Sequence, residues 1–186
     1  MIGYAMCGSF CTLSRSLDVM RSLVATGLEV LPIMSPIGDS TDSRFTVADT
    51  FREQVRAVCG RDIVHTVEGA EPLGPRTPLD ALIIAPCTGN TMAKIANGIT
   101  DTSVTMAAKA HLRCDRPLLI ALASNDAMSQ NLPNLARLLE RKGVYFVPMR
   151  QDDPTGKPHS LVADFSRIPD ALAAALEERQ LRPLFE

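Results

Sequence analysis

The sequence predicts a doubly wound α/β fold, a parallel sheet with helices on both faces. Three observations carry this. Short uninterrupted apolar runs occur at 2–6, 81–85 and 117–123, segments of helical periodicity lie between them, and Gly, Ser, Thr and Asn gather where each run stops. Uninterrupted apolar runs mark strands buried on both faces, and strict alternation of strand and helix implies parallel order.

Element by element, Ile2–Met6 reads as the first strand and Gly8-Ser9 as a turn. Leu13, Leu17, Met20 and Val24 then recur at helical spacing until Gly27 offers a stop. Residues 30–34 make a second strand, 35–40 a loop, 44–58 a helix and 63–65 a short third strand. The stretch 71–78 carries three prolines, which remove N–H donors and fix φ, so it cannot be regular. After the strand at 81–85 come helices at 91–97 and 103–113, and then the buried strand 117–123. Leu132, Leu135, Leu138 and Leu139 mark a helix closed by Gly143; 144–147 is the last strand and 168–178 the final helix. The pattern is a three-layer sheet of Rossmann or flavodoxin type.

With 186 residues the chain is expected to form a single domain spanning 1–186, with a possible lid loop at 148–160. Its hydrophobic fraction of 46% and charged fraction of 22% are ordinary for a globular protein, and no apolar stretch approaches the length of a membrane span. No secretory signal is read at the start, so a cytoplasmic location is expected. A net charge of −2 with scattered Lys and Arg gives no footprint for nucleic acid. Cys7, Cys11, Cys59, Cys87 and Cys114 are odd in number and lack paired spacing with His, which argues against a disulfide framework and against zinc. Cys7 and Cys87 stand out because they fall at strand ends.

Chemistry concentrates at those ends. Pro86-Cys87-Thr88-Gly89-Asn90-Thr91 follows a buried strand and opens the next helix, offering hydroxyls, an amide and free backbone N–H groups where open α/β sheets bind ligands. Cys7-Gly8-Ser9-Phe10-Cys11-Thr12 repeats the arrangement after the first strand and suits a phosphate. The second strand ends in Ser35, where a nicotinamide fold would place an acidic residue for the ribose, so a mononucleotide fits better than NAD. Ser124-Asn125-Asp126-Ala127-Met128 follows the strand ending at Ala123; Asn125 either orients a carboxylate or carbonyl, or caps a helix beginning near Ala127. Ser9, Ser35, Asn90 and Ser124 thus share one edge of the sheet. Arg150, Lys157 and His159 sit in the long polar loop, where they would meet an anionic substrate or simply solvate the surface. His65 and His111 read as structural or surface residues.

The run Pro86-Cys87-Thr88-Gly89-Asn90-Thr91-Met92-Ala93-Lys94-Ile95-Ala96-Asn97-Gly98 resembles the flavin-binding signature of the homo-oligomeric flavin-containing cysteine decarboxylases. That resemblance implies FMN on a Rossmann-like sheet. It implies Gly8, Ser9 and Ser35 near the phosphate, Thr88, Asn90 and Thr91 near the ribityl chain and ring, and Phe10, Pro86, Cys87, Gly89 and Ser124 within the same cofactor site. Asn125 and Met128 match part of the family's second motif, whose Trp is replaced here by Ser129. The family's catalytic His corresponds by spacing to Pro72, which cannot transfer protons.

A resemblance covering nearly the whole chain is to the B subunits of dipicolinate synthases from spore-forming bacteria. It is carried by 70–80, 84–90, Met106-Ala107-Ala108-Lys109-Ala110 and Tyr145-Phe146-Val147-Pro148. It implies a flavoprotein partnered, in the mother cell, by the NAD(P)-binding A subunit of dipicolinate synthase, and a homo-oligomer that is a trimer or a multiple of one. It also implies a small dicarboxylate substrate held by Asn125, Met128, Arg150 and Lys157, with Asn125 the catalytic candidate and no metal. An FMN-dependent decarboxylase and a non-catalytic activator of the A subunit are the alternatives.

Overall fold

The structure, a computed structural model, describes residues 1–186. Seven strands are present: β1 Ile2–Met6, β2 Val30–Met34, β3 Ala81–Cys87, β4 Leu118–Ser124, β5 Val144–Phe146, β6 Met149–Arg150 and β7 Leu161–Ala163. The helices are α1 Leu13–Ala25, α2 Pro36–Ser40, α3 Ala48–Cys59, α4 Val67–Ala70, α5 Gly89–Ala96, α6 Ser103–Leu112, α7 Leu132–Leu139 and α8 Ile168–Leu176. The parallel core runs β2-β1-β3-β4-β5, the flavodoxin order. β5 covers only the first half of β4, along Leu118 to Ile120. Beyond it β7 pairs antiparallel with Ala123 and Ser124, and β6 pairs antiparallel with β7.

Successive strand residues face opposite sides of a sheet, so each central strand feeds two cores. On β4, Leu118, Ile120 and Leu122 pack with Met92 and Ile95 of α5, Val104 and Ala107 of α6, and Leu135 and Leu138 of α7. Leu119 and Ala121 turn to the other side, toward Leu13, Leu17 and Met20 of α1, Phe51 and Val55 of α3, and Ile168 and Leu172 of α8. Each such Leu or Ile contributes about 1.5–3 kcal/mol by leaving water. Two buried hydroxyls tie helices to strand ends: Ser16 Oγ on α1 donates to the Ala85 carbonyl, and Ser103 Oγ on α6 to that of Met34.

Several expectations are corrected. The loop at 35–40 is the short helix α2, because Ser35 Oγ accepts from Gly38 N at 3.2 Å and Pro36 occupies the first turn, where its missing N–H costs nothing. The helix expected from 44 starts at Ala48, whose N–H is held by Asp42 Oδ1 at 2.9 Å. The strand expected at 63–65 is a single bridge between Ile33 and Val64, since the next ladder bond would need an N–H on Pro32. The helix expected near Ala127 is a set of turns. The Asp126 carbonyl accepts from Ser129 N and Asn131 N, both at 3.1 Å, and the helix begins only at Leu132. The strand at Val144–Phe146 is not the last: β6 lies inside the stretch read as loop and β7 directly follows that stretch.

Candidate functional site

The strand order reverses between β1 and β3, and the crevice outside the carboxyl ends of strands at such a point is where open sheets bind ligands. A cavity of about 550 Å³ lies there, within the ~300–1,000 Å³ range of small-molecule sites. Gly8, Ser9, Thr88, Gly89, Asn90, Ser124, Asn125 and Lys157 all line it.

Each wall has a local cause. After β1 the chain turns at Gly8, where a Cβ would approach Ile37 Cγ2 to 2.8 Å. Thr12 Oγ1 donates to the carbonyl and hydroxyl oxygens of Ser9 at 2.9 and 3.1 Å, fixing the turn. After β3, Thr88 caps α5: its hydroxyl oxygen accepts from Thr91 N at 3.3 Å and donates to Thr91 Oγ1 at 3.2 Å. Gly89 begins that helix because nothing larger fits. A Cβ there would lie 2.7 Å from Asp126 Oδ1 and 2.8 Å from Asn131 Nδ2, and closer still to Ser124 Oγ. Asn90 and Asn125 line the cavity, and both residues are exposed.

The far wall comes from the turn after β4 and from the arm formed by β6, β7 and the loop between them. Ser124 Oγ donates to Asp126 Oδ1 at 2.5 Å, and Asn131 Nδ2 donates to Asp126 Oδ2 at 2.8 Å. The loop is anchored where Ser160 Oγ donates to the Ser124 carbonyl at 3.2 Å and Met128 N donates to the His159 carbonyl at 2.9 Å. Lys157 Nζ lies 2.7 Å from Asp152 Oδ2, a contact that raises the ammonium's pKa and lowers that of the carboxyl.

Cys7 and Cys87, at the ends of β1 and β3, are both buried and do not line the cavity. Burial pushes the Cys7 thiol up to about 11, and raises Cys87 well above the ordinary range with help from its neighbour Cys7. Both are neutral packing residues rather than nucleophiles. Pro86 and Thr91 are likewise buried, and Thr91 is bonded to the capping Thr88.

Seven residues singled out from the sequence do not line the cavity: Pro86, Cys87 and Thr91, packed inside the fold, and Ser35, Phe10, Met128 and Arg150, engaged elsewhere. The Ser35 hydroxyl is spent capping α2. Phe10 lines a smaller cleft with Phe45 and Phe51. Met128 is exposed beyond the rim. Arg150 lines a neighbouring cleft with Arg15, Asp18 and Asp164. Sequence reasoning missed Cys11, Thr12, Asp126, Asp152, Ser160 and Val162, all of which line the cavity. Asp126 and Thr12 stood inside runs already singled out; Ser160 and Val162 arrive by the antiparallel arm, which left no periodic signal. No group of three His, Cys, Asp or Glu is placed to hold a metal ion, and no helix is long and apolar enough to cross a membrane.

A family profile described as Flavoprotein matches residues 1–176. The chain belongs to the flavoprotein family. Within it, the chain is 40% identical over 183 residues to the B subunit of dipicolinate synthase from Bacillus subtilis (strain 168), an alignment covering 98% of this chain and 92% of that one. A crystal structure of the dipicolinate synthase B subunit from Bacillus halodurans superposes with a TM-score of 0.91 at 38% identity, covering 100% of this chain and 95% of the other. A dodecameric FMN-dependent UbiX-like decarboxylase from Escherichia coli O157:H7 shares the fold, with a TM-score of 0.64 at 22% identity over 80% of each chain. The donors gathered at the strand ends of this flavoprotein fit a flavin mononucleotide: small residues for close approach, hydroxyls and amides for the polar chain, and free N–H groups at helix starts for a phosphate.

Proposed function

We propose that this chain is the flavin-holding B subunit of a dipicolinate synthase. It binds FMN in the strand-end cavity and acts with an NAD(P)-binding A subunit to convert a cyclic dihydro- or hydroxytetrahydro-dipicolinate into dipicolinate during sporulation. One observation carries the reading: residues from three separate strand ends, Ser9, Asn90 and Asn125 among them, line one cavity in a chain 40% identical to a dipicolinate synthase B subunit.

In this reading Gly8, Ser9 and the N–H groups of the following turn take the phosphate, and Thr88, Gly89 and Asn90 the ribityl chain and ring. Bound FMN supplies a two-electron acceptor. The protein's own contribution is position and exclusion of water. Asn125, which touches the substrate, and Lys157 orient the carboxylates by hydrogen bonds, charge-assisted in the case of the ammonium. Arg150 approaches from the adjoining cleft and Met128 from the rim, while the loop over 151–160 acts as a lid. The working form is a homo-oligomer in the mother-cell cytoplasm, a trimer or a multiple of one.

Titration of the purified chain with FMN, followed by flavin fluorescence, tests the cofactor. Quenching that saturates at one FMN per chain is expected, and a chain that takes up no flavin at any concentration sinks the reading. Adding the chain to the purified A subunit with and without FMN tests the role. Turnover that depends on flavin is expected, whereas an equal gain in rate without flavin identifies a non-catalytic activator.

A further inference from the structure

The cavity holds a carboxylate that no binding role explains. Asp126 lies in no ion pair, while the cavity's ammonium group, Lys157, is already matched to Asp152. Its two oxygens are instead fixed by neutral donors: Oδ1 by Ser124 Oγ at 2.5 Å, and Oδ2 by Asn131 Nδ2 at 2.8 Å. Ser124 and Asn131 are each only 7% exposed. Asn131 is held in turn by Asn134, whose Nδ2 donates to Asn131 Oδ1 at 2.9 Å, and Asn134 Oδ1 accepts from Asn97 Nδ2 at 2.9 Å. Gly89 lets this cluster press against the first residue of α5.

A bare carboxylate in a site meant for a dicarboxylate repels its ligand, so its presence calls for a chemical task. A base needs reach, an orienting partner and an open side. Asp126 has the last two from Asn131 and the cavity, and Ser124 extends its reach by one hydroxyl.

Resting on the function proposed above, we propose that Asp126 is the proton acceptor of the reaction, directly or through the Ser124 hydroxyl, with Asn131 as the positioning residue. Aromatising a dihydro ring removes two hydrogens. One C–H bond breaks with its electron pair leaving as hydride to a two-electron acceptor, a flavin or the partner's nicotinamide. The adjacent C–H bond loses its proton to Asp126, and its electron pair becomes the new ring double bond.

The first test needs neither turnover nor flavin. Pyridine-2,6-dicarboxylate, the proposed product, is titrated calorimetrically into the chain in two buffers of different ionisation enthalpy. A base must stay ionised with its ligand bound, so the dianion, repelled by the Asp126 carboxylate, is expected to bind Asp126→Asn at least about tenfold more tightly than the wild type, with no proton taken up by either. Equal affinity in both proteins, or a proton taken up by the wild type alone, overturns the proposal, whatever FMN does. With the A subunit present, Asp126→Asn is expected to lower kcat at least about a hundredfold, the scale of a lost general base. It should also enlarge the isotope effect from deuterium at the carbon that yields the proton, while FMN titration stays as in the wild type. Asp126→Asn combined with Asn131→Asp keeps a donor facing an acceptor but moves the charge off Ser124, so it should fold and remain slow. Asp126→Ala should regain rate with added formate. If the double variant turns over like the wild type, or formate rescues nothing while Asp126→Asn keeps its kcat, the carboxylate only braces the turn and the proposal falls. Loss of FMN binding in the wild type, by contrast, would fell the flavin reading and leave the dianion titration to judge Asp126.

Discussion

Two hollows at opposite ends of the sheet differ in their lining, and of that pair the one without the strand-end donors is the larger. At the carboxyl ends of the strands the cavity measures about 550 Å³ and is lined by Gly8, Ser9, Thr88 and Gly89. At the opposite end a cleft of about 740 Å³ is lined by long side chains, among them Arg116, Arg141, Lys142 and Glu178. The difference follows from chain direction. Helices start at the first end, presenting free N–H groups and partial positive charge, and finish at the second. There Leu112 and Leu139 close α6 and α7, and basic residues offset the partial negative charge of the unbonded carbonyls. Volume alone therefore does not choose a site. The direction of the helix ends and the presence of residues small enough for close approach do.

Substitutions that fill the first end should have the largest effects. Gly89→Leu forces a side chain into the Ser124, Asp126 and Asn131 cluster, so it is expected to cost about 1–3 kcal/mol in thermal or denaturant unfolding. It should also raise the Kd for FMN at least about tenfold, equivalent to about 1.4 kcal/mol. An unchanged Kd in a folded variant would mean that the flavin does not lie against α5. Thr88→Ala should act more mildly, losing about 1 kcal/mol with the helix cap and weakening FMN several-fold. Arg141→Ala at the other end is the matched control. It should stay within about 0.5 kcal/mol and leave FMN affinity alone. If the two variants weaken FMN equally, the contrast between the ends is wrong.

What could be read from the sequence divides along the same physical line. Ile2–Met6, Ala81–Cys87 and Leu118–Ser124 were legible because strands buried on both faces must be apolar throughout, and Ser9, Thr88 and Asn90 because they stand immediately after such strands. The antiparallel arm was not. β6 and β7 are two and three residues long, too short for any periodicity, and they exist because Ala123 and Ser124 offer an edge left uncovered by β5. With the arm went Ser160 and Val162. Asp126 was visible as a residue but not as a group held at both oxygens, because Asn131 meets it through turns that the sequence suggested were helix. Only Ser35 carried a signal that was passed over: Ser followed by Pro is a helix start, and α2 begins there.

The smallest effect separates the two ends by their response to pH. His111 on α6 is fully buried; its Nε2–H donates to the Pro117 carbonyl at 2.9 Å, and Nδ1 has no partner. Burial lowers its pKa, the nearby Arg116 charge adds to this, and the bond to Pro117 opposes it. A second proton would have to be placed on an enclosed nitrogen. In the unfolded chain the same imidazole takes that proton near pH 6.5. The unfolded state therefore binds more protons below that pH, and the stability that His111 contributes while neutral is lost as pH falls through this window. Denaturant unfolding measured from pH 7.5 to 5 should show stability declining, with a shallower decline in His111→Gln, whose amide can still donate toward Pro117. FMN affinity over the same range should follow neither change, because His111 lies at the end of the sheet remote from the strand-end cavity. A parallel loss of affinity and stability in the wild type, absent in His111→Gln, would show that the two ends are coupled through β4.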